Sequence, residues 1–104
     1  MSMVHVFALI TTKPGQRDAV LEKFRANVPA VEAEAGCIEY RPVVDMDEAG
    51  SFQTPLGPDT FGVIEKWESM AALQAHAVAP HMKAYGAAVK DMLADRVIHV
   101  LSDA

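Results

Sequence analysis

The sequence has one cysteine, no long apolar run, no excess of basic charge and no glycine-rich nucleotide fingerprint, and each absence removes a class of function. Cys37 alone cannot close an internal disulfide, so the fold must rest on a packed core, and a reducing, cytoplasmic compartment is the expected one. The longest apolar stretches, such as Val6–Ile10, fall far short of the roughly 20 residues that a membrane helix needs. Nine basic residues, scattered among fourteen acidic ones, leave a net charge of −5, so a nucleic-acid backbone would meet no basic patch. The opening Met-Ser-Met-Val-His has neither the basic region nor the apolar segment of a secretory signal. There is no phosphate-binding loop, no flavin fingerprint, no H-E-x-x-H and no paired-cysteine spacing, and neither a metal nor another cofactor is expected.

What is present is core material. Over 104 residues, 51% are hydrophobic and 22% charged, the balance of one soluble folded domain spanning 1–104. Met3–Thr12 (MVHVFALITT) is rich in β-branched and aromatic residues and stops at Lys13-Pro14-Gly15, which predicts a strand followed by a turn. Both of its alternating faces are largely apolar: Met3, His5, Phe7 and Leu9 on one, Val4, Val6, Ala8 and Ile10 on the other. From Gln16 to Ala35, Val20, Leu21, Phe24, Val28 and Val31 recur at helical spacing, with Pro29 a candidate kink and Gly36 a natural stop.

Cys37–Val44 and Thr60–Trp67 read as two further strands, and Pro42 places the first of them at a sheet edge. Between them Asp45–Asp59 is longer than a hairpin needs. Ser69 is placed to cap a helix over Met70–Val78, Pro80 interrupts it, and His81–Leu93 continues with Met82, Tyr85, Val89 and Met92 on one stripe. Asp95–Leu101 closes the chain as a fourth strand. The order βαββαβ predicts an α+β, ferredoxin-like fold: a four-stranded antiparallel sheet with its helices on one face. Since the first and last strands are apolar on both sides, the helix-free face needs a cover. The expectation is a homodimer whose two sheets face each other, an α+β barrel with the cavity on that inner face.

The run Val63-Ile64-Glu65-Lys66-Trp67-Glu68-Ser69, then Leu73, His76 and Ala79-Pro80-His81, together with Thr12-Lys13-Pro14-Gly15, resembles the antibiotic biosynthesis monooxygenase family along essentially the whole chain. The resemblance implies a dimeric α+β barrel. In the family's characterised enzymes it implies oxygenation of quinol-type or polyphenolic aromatics by molecular oxygen without flavin, metal or haem. Relatives that degrade haem use a helical histidine as iron ligand; that position falls near Gly86 here, and their cavity tryptophan near His76, so both departures count against haem.

On this reading His76 is the candidate catalytic base, an imidazole able to take a proton from a phenol and leave a phenolate that reduces oxygen more readily. Its bland alternative is a helix histidine bonded to a carboxylate. His5 shares a face with Phe7 and Leu9, and both His5 and Phe7 become pocket residues if that face is the cavity. Trp67 is either a pocket wall for a planar substrate or a core anchor. Tyr85 belongs to the core stripe with its hydroxyl available to the cavity, and His81 either caps the second helical leg or binds. His76 and His81 stand five residues apart across a break, so they do not share one helical face. The alternation of the third strand does not decide which face Glu65 and Trp67 take, and Glu39, Arg41 and Glu65 are read as cross-strand ion-pair candidates. A binding module that kept the barrel and lost the chemistry is the competing reading.

Overall fold

The computed structural model describes residues 3–104, so Met1 and Ser2 of the opening segment lie outside the described residues. Its elements are β1 (Val4–Thr12), α1 (Arg17–Glu32), β2 (Cys37–Val43), β3 (Thr60–Trp67), α2 (Met70–Ala77), α3 (Pro80–Val89), a 3₁₀ turn at Lys90–Met92 and β4 (Leu93–Leu101). The strands form one sheet in the order β2-β3-β1-β4, every neighbouring pair antiparallel. This is the expected ferredoxin-like arrangement, with the second helical segment split in two. Pro42 sits in an edge strand, where its missing N–H breaks no ladder. The last strand begins at Leu93, two residues earlier than the sequence pattern suggests, because the helix before it closes through the 3₁₀ turn.

The alternation of β1 sorts directly into two faces. Val4, Val6, Ala8, Ile10 and Thr12 are buried beneath the helices, while the intervening residues are half-buried on the opposite side. α1 runs through Pro29 without interruption and brings Val20, Leu21, Phe24 and Val31 onto that core face. The outer face bears no helix. There Phe7 lies over Gly62, where an added Cβ would come within 3.1 Å of the Phe7 ring and 2.9 Å of Val43 Cγ2. A larger residue at 62 would lift the aromatic ring off the sheet.

Three local devices place the helices that matter for the site. Gly36, at φ +85°, turns the chain from α1 into β2 in a conformation that favours glycine. Ser69 caps α2, its Oγ accepting the Ala72 N–H at 3.1 Å. Ala79 is extended ahead of Pro80, as the proline ring demands, and Pro80 opens α3 at its first turn. The 44–59 connection is organised around Asp45, whose carboxylate accepts from Leu56 N (2.8 Å), Gly57 N (3.0 Å) and Gln53 Nε2 (3.3 Å). The two backbone donors hold that carboxyl below its ordinary range. Among the described residues no helix is long and apolar enough to cross a membrane.

Candidate active site

A cavity of about 370 Å³ lies between the helices and the core face of the sheet. Val6 and Ala8 of β1 and Ile98 and Val100 of β4 form its sheet side; Leu73 of α2 and Met82 of α3 stand over them. The cavity expected on the helix-free face belongs to the space between two copies; the one within a single chain is on the core face. The reason is coverage: α1 packs over the β2 side of the sheet, and the short α2 and α3 leave the core face of β4 partly bare, with Ile98 and Val100 half exposed.

His76, in the last turn of α2, is the most enclosed histidine, at 5% exposure. Its ring is held on three sides. Trp67 packs against it with centroids 4.7 Å apart, Tyr40 meets it edge-on at 5.3 Å, and Nδ1 lies 2.8 Å from Glu34 Oε2. A carboxylate only accepts, so Nδ1 carries the hydrogen and donates it. The other nitrogen, Nε2, makes no hydrogen bond among the described residues, and His76 is one of the residues that line the cavity. An imidazole in this tautomer presents a lone pair to whatever the cavity holds.

Glu65 is the second polar group of the cavity wall. It is buried at 8% exposure, and Oε1 accepts the Trp67 indole N–H at 2.9 Å. Burial pushes its carboxyl up from the ordinary range, against the lowering effect of the indole hydrogen bond. The ion pair considered for it does not form among the described residues: Arg41 turns instead to Glu39 of its own strand, at 3.6 Å. Tyr85 also lines the cavity, and burial pushes its hydroxyl up to about 12, so it is a hydrogen-bond donor and not a base. Its ring meets Phe24 edge-on at 5.8 Å, and Phe24 stacks on Tyr40 at 5.1 Å, which ties the cavity wall to the cage around His76.

The remaining sequence candidates lie elsewhere. Trp67 is fully buried behind Glu65 and His76 and does not line the cavity. His5 and Phe7 are on the outer face, where His5 Nε2 bonds Asp103 at 2.8 Å and Phe7 stands opposite His99. His81 is not a lining residue either, yet its Nε2 comes within 3.2 Å of Glu34 Oε2, off the hydrogen-bond direction. The break between α2 and α3 therefore brings His76 and His81 to one carboxylate, although their spacing on a continuous helix would not. Glu34 had no signal in the sequence beyond its place at the end of an amphipathic helix. Burial and the carboxylates of Glu34, Glu32 and Glu65 push the Cys37 thiol up, which works against the thiolate a nucleophile needs. Gly86 lines the cavity with open space where a side chain would stand, so that position offers no ligand to an iron.

The family model for antibiotic biosynthesis monooxygenases matches residues 3–88. This chain belongs to that family. It is 48% identical over 101 residues to the probable quinol monooxygenase YgiN of Escherichia coli K12, covering 95% of this chain and 96% of that one. Among solved structures it superposes on PA3566 from Pseudomonas aeruginosa with a TM-score of 0.82 at 27% identity, covering 100% of this chain and 96% of that one. Rv0793 from Mycobacterium tuberculosis gives 0.80 at 26%, covering 99% and 96%. The resemblance read in Glu65-x-Trp67-x-Ser69 acquires a physical content in this member of the family. Glu65 and Trp67 bond each other behind the cavity, Ser69 starts α2, and α2 carries His76 to the wall.

Proposed function

We propose that this protein is a cofactor-independent monooxygenase acting on a small quinol or polyphenolic aromatic, with His76 as its base. The observation that carries the reading is a buried imidazole that lines a largely apolar cavity, its Nδ1–H donated to Glu34 and its Nε2 without a hydrogen bond among the described residues. The similarity to a probable quinol monooxygenase supports the substrate class.

In this reading Nε2 takes the hydroxyl proton, and Glu34 stabilises the imidazolium that results. The phenolate passes one electron to molecular oxygen, and the radical pair recombines with a new carbon–oxygen bond at the ring. The O–O bond then breaks as that carbon loses its hydrogen, giving a quinone and water. One oxygen atom enters the product and the other leaves as water, and the substrate supplies every electron. The chain's contribution is deprotonation, orientation against an apolar wall and exclusion of water from the radical pair. Glu65 is the second buried polar group on the same wall, within the cavity that would hold the rest of the ring.

We infer also that two copies pair through the outer sheet face. Met3, Ile64, Val97 and Leu101 are each about 40–50% exposed on the helix-free side, with Phe7 and Leu9 among them. That is more contiguous apolar surface than a monomer ordinarily leaves in water.

The test is oxygen uptake with a panel of quinols on chelator-treated protein, alongside His76→Ala. Uptake that survives chelation and falls on the order of 100-fold or more in the variant is expected. Saturable binding of aromatics with no uptake across the panel would replace the enzyme with a binding module.

A further inference from the structure

Four charged or titratable polar groups other than tyrosine line the cavity, and they divide by depth. Glu65 and His76 are buried at one end, whereas Lys83 on α3 and Arg96 on β4 are exposed. Lys83 and Arg96 come from opposite walls, and among the described residues neither side chain is held in an ion pair or a hydrogen bond. In a chain of net charge −5, two exposed cations beside a largely apolar cleft are a local reversal of sign. Asp95, the neighbouring acid, bonds the Arg96 backbone N–H and leaves the guanidinium free.

The sheet sets the separation between the two ends. On either side of β1, Glu65 stands opposite Val6 and Arg96 opposite Ile10. Four residues along the strand and two strand spacings across it put these backbones about 13 Å apart in one direction and about 10 Å in the other. After both side chains reach inward, the gap suits a fused two-ring frame, with a hydroxyl at His76 and another group at the mouth.

We propose that the substrate of this site carries an anionic group, a carboxylate or sulfonate, on the end remote from its reacting hydroxyl, and that Lys83 and Arg96 hold it. The proposal rests on the monooxygenase reading for which end faces His76. A guanidinium is matched to a carboxylate by its planar fork, and an ammonium adds a second charge without fixed direction. Both sit where water still reaches, so the pair selects among ligands and speeds their entry more than it anchors them.

The experiment is calorimetric binding of 2-naphthol and 6-hydroxy-2-naphthoate, which differ by one carboxylate on the far ring, to the wild-type protein and to the Lys83→Gln/Arg96→Gln double variant. The naphthoate is expected to bind on the order of tenfold tighter than the naphthol. That ratio should shrink with added salt and fall close to one in the double variant. Equal binding of the two ligands, or a carboxylate advantage that survives in the double variant, overturns the proposal. So does failure of both ligands to bind. Oxygen uptake on quinols is measured separately: a carboxylate advantage with no uptake on any quinol sinks the monooxygenase reading and leaves the anion site standing.

Discussion

Glu34 Oε2 lies 2.8 Å from His76 Nδ1 and 3.2 Å from His81 Nε2, so one carboxylate oxygen serves two imidazoles that reach it from different helices. Only the first contact has hydrogen-bond geometry, and it fixes the His76 tautomer that leaves Nε2 with the lone pair. Glu34→Gln keeps the size of the side chain but lets an amide N–H face Nδ1 as readily as a carbonyl. We expect kcat for quinol oxidation to fall on the order of 100-fold with KM little changed. A merely structural Glu34 would leave the tautomer alone. The ¹⁵N spectrum of His76 should show a single Nδ1–H form in the wild type and a mixture in the variant; a single form in both would exclude the positioning role.

Glu65 carries a different signature. Burial raises its carboxyl above the value it has in the unfolded chain. The unfolded state therefore releases this proton at lower pH than the folded state does, and the folded state loses relative stability as pH rises above the ordinary carboxylate range. Glu65→Gln removes the titration, and its amide oxygen can still accept the Trp67 N–H. The variant should melt at the same temperature as wild type near pH 4 and above it at pH 7, with the gap opening between. Thermal melts from pH 3.5 to 8 check this, and a difference independent of pH would show that the carboxyl titrates alike in both states.

The strands and α1 were legible because their apolar residues repeat at the period of the element that holds them, as Val4, Val6, Ala8 and Ile10 do on β1. His76 was legible through its motif. Its partner was not: Glu34 is one more acid at the end of a helix in sequence, and becomes a half-buried partner of His76 only once Gly36 turns the chain from α1 into β2. The cavity on the core face was not legible for a related reason. Periodicity shows that both faces of β1 are apolar, but not that α1 covers one half of the sheet and the shorter helices leave space over the other. In one chain that geometry leaves His5 and Phe7 on the outer face and puts Glu65 in the cavity wall, a placement the alternation of the third strand did not decide.

The turn at Gly36 deserves a direct test because it sets that geometry. A Cβ there would stand 2.6 Å from the Ala72 Cβ on α2, in addition to the strain of a side chain at φ +85°. Gly15, at φ +77°, has nothing within 4 Å of its added Cβ and isolates the strain alone. Gly15→Ala should cost about 1 kcal/mol and Gly36→Ala about 2–4 kcal/mol, the excess being the displacement of α2. Chemical denaturation measures both. Equal losses would mean that α2 shifts without resistance and that its position is not held at this contact.

The outer face supplies the last test. Ile64 stands opposite Phe7 in the register of β1 and β3, on the side of the sheet away from the cavity, and is 39% exposed. A carboxylate introduced there costs a lone chain little, because the position already meets water. In a paired face it would be buried without a partner, or set against its own symmetry mate, at a cost on the order of several kcal/mol. Ile64→Glu should therefore keep the wild-type circular dichroism and still bind 2-naphthol, while sedimenting at half the mass of the wild-type protein. The comparison separates assembly from folding, since the cavity lies on the other side of the sheet. A wild-type protein that sediments as a monomer at tens of micromolar would remove the proposed pairing, and its apolar outer face would then need another cover.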